Sequence, residues 1–168
     1  TGREVSCINS IQVQNSIGGL NLTGKGVLIG IIDSGIDYLN PDFIDDSGYT
    51  RIRYIWDQTA DGDVSAGRVP AGYSQGAEYD SLDINNAIQA GNREDAMNIV
   101  PVSDRESGHG TAVSGIAAGN GRGSANRHYR GVAVESELII VKLGNSDESF
   151  ARTTEVMEAI DYVIRKSV

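Results

Sequence analysis

The chain has 168 residues, a formal net charge of −9, 21 glycines, 3 prolines and one cysteine. That length fits one domain with a core of its own; a single cysteine excludes an intrachain disulfide; and the acidic balance argues against non-specific nucleic-acid binding, which needs a basic face. The longest apolar run is too short to span a membrane, the N-terminus lacks the pattern of a signal peptide, and the glycines follow no repeat.

Residues 1–23 are polar with scattered Ile, Val and Leu, and a short docked helix or loop is expected around 11–17. Cys7 lies in no nucleophile motif, and Asn21-Leu22-Thr23 matches a glycosylation sequon, a triplet common by chance. After the turn at 24–26, residues 27–32 form a continuous apolar run, the pattern of a strand buried on both faces. Residues 51–56 alternate like a half-buried strand, while 57–78, rich in Gly, Asp, Ser and Ala, read as a surface loop. Asp80 or Ser81 is suited to cap a short helix with Ile84, Ala87 and Ile88 on one face, ending near Gly91. Residues 97–102 read as another short strand. The stretch 44–104 is read as an insertion within a single domain covering 1–168, too short and polar for a core of its own.

Residues 108–118 read as a helix with Ala112, Val113, Ile116 and Ala117 on its inner face, closed by Gly119-Asn120-Gly121. A polar loop follows at 120–130, then a buried strand at 138–141. Residues 153–165 form an amphipathic helix, with Val156, Ile160, Val163 and Ile164 inward and Glu155, Glu158, Asp161 and Arg165 outward. Asp161 and Arg165 make an i,i+4 pair of small stabilising value. Alternating strands and helices predict an α/β fold with a parallel sheet flanked by helices.

Two segments carry chemistry. Residues 30–37 read Gly-Ile-Ile-Asp-Ser-Gly-Ile-Asp, followed by Asn40-Pro41-Asp42-Phe43. Asp33 stands where a buried strand turns, and functional groups in parallel sheets collect beyond the carboxyl ends of strands. Residues 108–115 read Gly-His-Gly-Thr-Ala-Val-Ser-Gly and put His109 in the first turn of a helix. The helix dipole disfavours its protonation and a nearby carboxylate favours it, the balance a general base needs. Glycines at 108 and 110 are expected to leave room for a substrate or partner side chain. An isolated strand-end Asp is more often a turn residue, and a lone His more often a packing residue; the resemblance of both segments to the motifs of a known family reverses those odds. The carboxylates of Asp37, Asp42, Asp45 and Asp46 do not have the spacing of a helix–loop–helix calcium site. His128 sits in the polar loop and is expected to be exposed and inert.

These two motifs, in this order, resemble the aspartate and histidine segments of the subtilisin-like serine proteases (subtilases). Gly131-Val132-Ala133 and the strand after it resemble the family's next turn and strand, with Val134 in place of the usual proline. Ala112 stands where many members carry a second, non-catalytic histidine. The resemblance covers about residues 20–43 and 104–166. Asp33 and His109 are 76 residues apart, a longer spacing than in compact subtilases, and with Tyr54-Ile-Trp-Asp-Gln58 it is similar to the clostridial germination-protease group.

The resemblance implies a partial subtilisin-like fold, truncated before the serine-bearing half, and hydrolysis of peptide bonds by an Asp–His–Ser triad. Asp33 would orient His109, and His109 would deprotonate the serine. Residues 107–168 hold no serine in the family's nucleophile setting: Ser107, Ser114 and Ser124 are near His109 in sequence only, and Ser114 shares its helix. Proteolysis by this chain alone is therefore not expected. The implied partners are a protein or peptide substrate and a C-terminal half of the catalytic domain; neither nucleic acid nor membrane is expected. Lacking the family's neighbouring strand, residues 27–32 would form an apolar edge prone to self-association. Family grooves pair with extended peptides along strand edges, which makes Leu143, Gly144, Asn145 and Ser146 candidate substrate contacts. Asp42 matches a carboxylate that often ligates structural calcium, with the remaining ligands from the loop after the histidine helix; residues 120–130 do not follow that loop's pattern. No cofactor is implied for the chemistry itself. An extracellular, cell-envelope or spore-associated setting is favoured by the same resemblance. The rival class is a non-catalytic, peptide- or partner-binding pseudoprotease, distinguished by the absence of a downstream serine motif. A nucleotide-binding α/β protein is disfavoured, because Gly24-x-Gly26 precedes its strand and no phosphate-binding loop exists.

Overall fold

The computed structural model describes residues 22–60, 68–104, 106–143 and 153–168. The expected helix at 11–17, Cys7 and Asn21 lie outside them. Within the described residues, β1 (Leu28–Asp33), β2 (Ile52–Asp57), β3 (Ala77–Asp80) and β4 (Glu137–Lys142) form one sheet in the order β1-β4-β2-β3. β1, β4 and β2 are mutually parallel, and β3 joins β2 antiparallel. The helices are α1 (Ser81–Gln89), α2 (Arg93–Ile99), α3 (His109–Ala118) and α4 (Thr153–Lys166). This is the predicted mixed α/β architecture, a mainly parallel sheet flanked by helices.

Both faces of the sheet are covered, which is why Leu138–Val141 is an unbroken buried run at the sheet's centre. Leu138 and Ile140 point toward α1, α2 and α3, where they pack with Ile31, Phe43, Tyr79, Ile84, Ala87 and Ala96. Ile139 and Val141 point the other way, onto Trp56 and the Ala159 and Tyr162 of α4. Each such side chain contributes about 1.5–3 kcal/mol when fully buried. β1 occupies one edge and pairs with β4 alone, so only Ile31 of it is buried, fewer than its apolar run suggests. Gly30 lets α4 settle on that edge: a Cβ there would fall 2.5 Å from Val163 Cγ1.

The stretch 44–104 is more ordered than its composition implies. Residues 77–80, expected to be loop or cap, form β3. Its Glu78 is 6% exposed and looks like a solvent residue in sequence, yet it accepts a 2.7 Å hydrogen bond from Tyr162 and pairs with Lys166 at 2.9 Å. Asp80 caps α1 as expected, in a reciprocal box with Asp83. The strand expected at 97–102 is instead the last turn of α2 and an extended exit. Asn92 caps that helix through Asp95 N–H, and its Arg-Glu-Asp-Ala start favours helix over strand. Tyr38, 1% exposed, donates toward the carbonyls at the end of α2, Ala96 at 3.1 Å and Val100 at 2.9 Å. Burial pushes its phenol up to about 12.

Two helix faces differ from expectation. On α3 the expected Val113 and Ala117 pack partly against the core, but the buried residues are Gly110, Ser114 and Ala118, while Ala112 is exposed and Ile116 is 65% exposed. The small side turns inward because α3 lies against the chain following β1. On α4 Val163 packs inward as expected, but the fully buried residues are Ala159 and Tyr162, and Ile160 and Ile164 are exposed. Tyr162 takes the core position because Trp56 and Glu78 together offer a ring contact and a hydrogen-bond acceptor. The Asp161–Arg165 pair forms as expected, at 2.7 Å. None of the described helices is long and apolar enough to cross a membrane.

Candidate active site

Asp33 is the last residue of β1, at the carboxyl end of the parallel strands, and Gly35 turns the chain there with φ of 114°. His109 is the first residue of α3. The two meet: His109 Nδ1 lies 2.7 Å from Asp33 Oδ1. Asp33 is 18% exposed and the imidazole 68%, so the carboxylate is sheltered while most of the ring faces outward. A hydrogen bond from Nδ1–H to the carboxylate fixes the tautomer and leaves Nε2 with its lone pair.

The start of α3 is held by three side chains from two segments. Gly108 at the cap position has φ of 65° and no side chain to offer. Ser107 Oγ accepts the N–H of His109 at 3.2 Å, Ser34 Oγ that of Gly110 at 3.0 Å, and Asp104 Oδ2 that of Thr111 at 2.8 Å. The first free donors of the helix are thereby satisfied. Ser34 hydroxyl has one hydrogen, and Asp104 Oδ1 at 2.7 Å claims it over Asp33 Oδ1 at 3.2 Å. Asp104, 4% exposed, thus ties the residue after Asp33 to the helix bearing His109. Sequence reasoning missed it because a polar run five residues before a histidine reads as ordinary loop; Ser34 was visible only as a small residue following the aspartate.

Gly110 serves this docking rather than a ligand: a Cβ there would lie 2.2 Å from the Gly35 carbonyl oxygen. Of the two glycines flanking His109, Gly108 is the one that opens onto unoccupied space. A second strut comes from Asp37. Its N–H donates to Thr111 Oγ1 at 2.9 Å, and its carboxylate receives Arg93 of α2 at 2.8 and 3.0 Å. The chain after Asp33 is thereby joined to both α3 and α2.

The electrostatics follow from this geometry. Burial pushes the Asp33 carboxyl up, but hydrogen bonds from His109 and from Ser34 outweigh it and hold the group below its ordinary value of 3.8. The hydrogen bond to Asp33, reinforced by its charge and by Asp104, raises His109 above 6.5 against a small opposing desolvation.

Leu143 packs partly against the α4-side cluster, and its N–H is committed to Asp33 O at 2.9 Å. Gly144, Asn145 and Ser146 lie outside the described residues. Asp42 Oδ1 accepts Gly123 N–H at 2.7 Å. Among the described residues no three His, Cys, Asp or Glu side chains converge as a metal site. His128 is exposed and stacks edge-on with Tyr129. Ser114 is fully buried inside α3, and Ser124 Oγ bonds within its own loop.

An aspartate at the end of a parallel strand and a histidine at a helix start, in hydrogen-bond contact, form an arrangement that can orient an imidazole for proton transfer. The Subtilase family (peptidase S8) matches residues 24–168, and the chain belongs to that family. The chain is similar to the structure of the Clostridium perfringens CspB protease, at 36% identity and a TM-score of 0.73. That match covers 98% of this chain and 30% of the other, so the chain spans about three tenths of that protein's length. The family match begins at the turn before β1 and includes both motifs and the Gly131-Val132-Ala133 turn. That turn docks on α3, Val132 and Ala133 donating to the carbonyls of Ile116 and Ala117.

Proposed function

We propose that this chain supplies the aspartate and histidine of a subtilisin-like endopeptidase. Asp33 holds His109 through Nδ1, and Nε2 takes the proton of a serine contributed by the rest of the protein. That serine attacks the peptide carbonyl; His109 then returns the proton to the leaving amine, and Asp33 stabilises the imidazolium between the two steps. The 2.7 Å Asp33–His109 contact, on opposite sides of a 76-residue separation, carries this reading. Leu143 to Ser146 are proposed to line part of the peptide groove, continuing from β4.

The test is covalent labelling of the full-length protein by a fluorophosphonate, together with turnover of a fluorogenic peptide. Wild type should label and cleave, His109→Ala should do neither, and the isolated 168-residue chain should not label. Labelling that survives His109→Ala, or labelling of the isolated chain, would overturn the assignment. A full-length protein that binds peptide without labelling would be a pseudoprotease.

A further inference from the structure

The family resemblance implies calcium at Asp42, shared with the loop after the histidine helix. The residues present do not fit that ion. We propose that arginines replace the cation here: Arg122 and Arg127 fasten the 120–130 loop to the segment 42–46, with Arg51 beneath, and no divalent ion is bound at that position.

Oxygens of the loop and of the segment facing it are already engaged: Gly121 O accepts Ser124 N–H and Oγ–H, and Asn120 Oδ1 accepts Arg122 N–H. Arg122 Nη1 donates to the Ile44 carbonyl at 3.0 Å and to the Asp45 carbonyl. Asn120 Nδ2 donates to the same Ile44 carbonyl at 2.7 Å. Arg51, 9% exposed, donates from Nη2 to the carbonyls of Asp42 and Ala118, each at 2.6 Å, and from Nη1 to Ser136 at 2.8 Å. Asp42 itself spends Oδ1 on Gly123 N–H. A guanidinium is always charged and presents several fixed donors, so it can gather carbonyls as a cation does. A divalent ion brought among these groups would meet the positive charges of Arg51 and Arg122.

The loop is also shaped to deliver its arginines. Asn126 and Arg127 have φ of 54° and 52°, left-handed values that residues with a side chain rarely adopt. Ser124 Oγ braces this bend by donating to Gly121 O and accepting Tyr129 N–H. Arg127, at the end of the bend, pairs with Asp46, and Arg122 Nε lies 3.9 Å from the same carboxylate. Asp46, adjacent to Asp45, thus closes a bridge between the loop and the segment after Phe43.

Hydrogen exchange of the full-length protease, read by mass spectrometry over residues 119–131, tests this locally and ignores any cation elsewhere. Exchange there should be the same in calcium and in EGTA. Arg122→Gln should raise it by about tenfold or more, and Arg122→Lys, which keeps charge without the fork, should fall between. Should Arg122→Gln fail to fold, Asp46→Asn, at the exposed rim, should still loosen the segment. The proposal is overturned if EGTA alone loosens these amides, or if the folded arginine or Asp46 variants exchange like wild type.

Discussion

Gly110 faces Gly35 so closely that a β-carbon on residue 110 would meet the Gly35 carbonyl oxygen at 2.2 Å and the Asp33 Cβ at 3.2 Å. The helix carrying His109 therefore rests on bare backbone of the turn carrying Asp33. Gly110→Ala must push the two apart. It should cost about 1–3 kcal/mol of stability, as overpacking does. A displacement of about 1 Å should also lower kcat/KM by about 10²-fold. Thermal unfolding and peptide turnover check the pair; a variant with wild-type activity would show that the contact does not set the site.

The imidazole must be neutral to accept a proton, so kcat/KM should fall on the acid side through a midpoint above 6.5, where Asp33 holds His109. Asp33→Asn should move that midpoint down toward the ordinary value. The size of kcat should fall by about 3 × 10⁴, the effect known for subtilisin itself. The contributions to stability have opposite signs. His109, raised on folding, stabilises below its unfolded pKa and loses that contribution as pH rises through its folded value. Asp33, lowered on folding, stabilises above its unfolded pKa and loses that contribution as pH falls through its folded value. Both are present together between about 3.8 and 6.5. A histidine NMR titration of wild type and Asp33→Asn measures the shift directly.

Asp104 is buried and serves Ser34 and the N–H of Thr111 at once. Asp104→Ala should cost about 1–3 kcal/mol, since it leaves polar groups unpaired in a sheltered place. Asp104→Asn keeps one acceptor and should lose less. Urea unfolding ranks the two; equal stabilities for Ala and wild type would remove Asp104 from the support of α3.

Glu78 sits beneath α4 with Tyr162 and Lys166 as partners. Removing either partner leaves the buried carboxylate half-satisfied. Tyr162→Phe and Lys166→Met should each destabilise by about 1–3 kcal/mol. Glu78→Gln should make the Lys166→Met loss smaller, because the charge to be compensated is gone. A double-mutant cycle in denaturant reads the coupling, and a coupling near zero would mean that water already serves the carboxylate.

Among the described residues β1 has a neighbour on one side only, and the apolar Ile160 and Ile164 of α4 are exposed. The purified 168-residue chain should therefore self-associate. Light scattering that gives a monodisperse monomer would remove this expectation.

The elements legible in the sequence are those whose side chains face one environment. The apolar runs of β1 and β4, the cap at Asp80 and the glycine-framed motifs around Asp33 and His109 all signal themselves. What escaped notice were residues whose partners come from far along the chain. β3 was hidden because Glu78 and Asp80 look solvent-facing until Tyr162, Lys166 and Arg68 are beside them. On α4 the apolar pattern finds Val163 but not Tyr162, because Ile160 and Ile164 count as apolar wherever they fall, whereas Tyr162 wins the core through both its ring and its hydroxyl. Asp104 could not be singled out, since its value lies in reaching a serine 70 residues earlier.

The Tyr38 hydroxyl, hung between the Ala96 and Val100 carbonyls, makes the long excursion before His109 inseparable from the turn after Asp33. Trimming the excursion to the length of a compact relative would strand a phenol sealed from water and withdraw the guanidinium that Arg93 lends to Asp37. An engineer shortening this chain would have to rebuild the floor under the aspartate as well as close the gap.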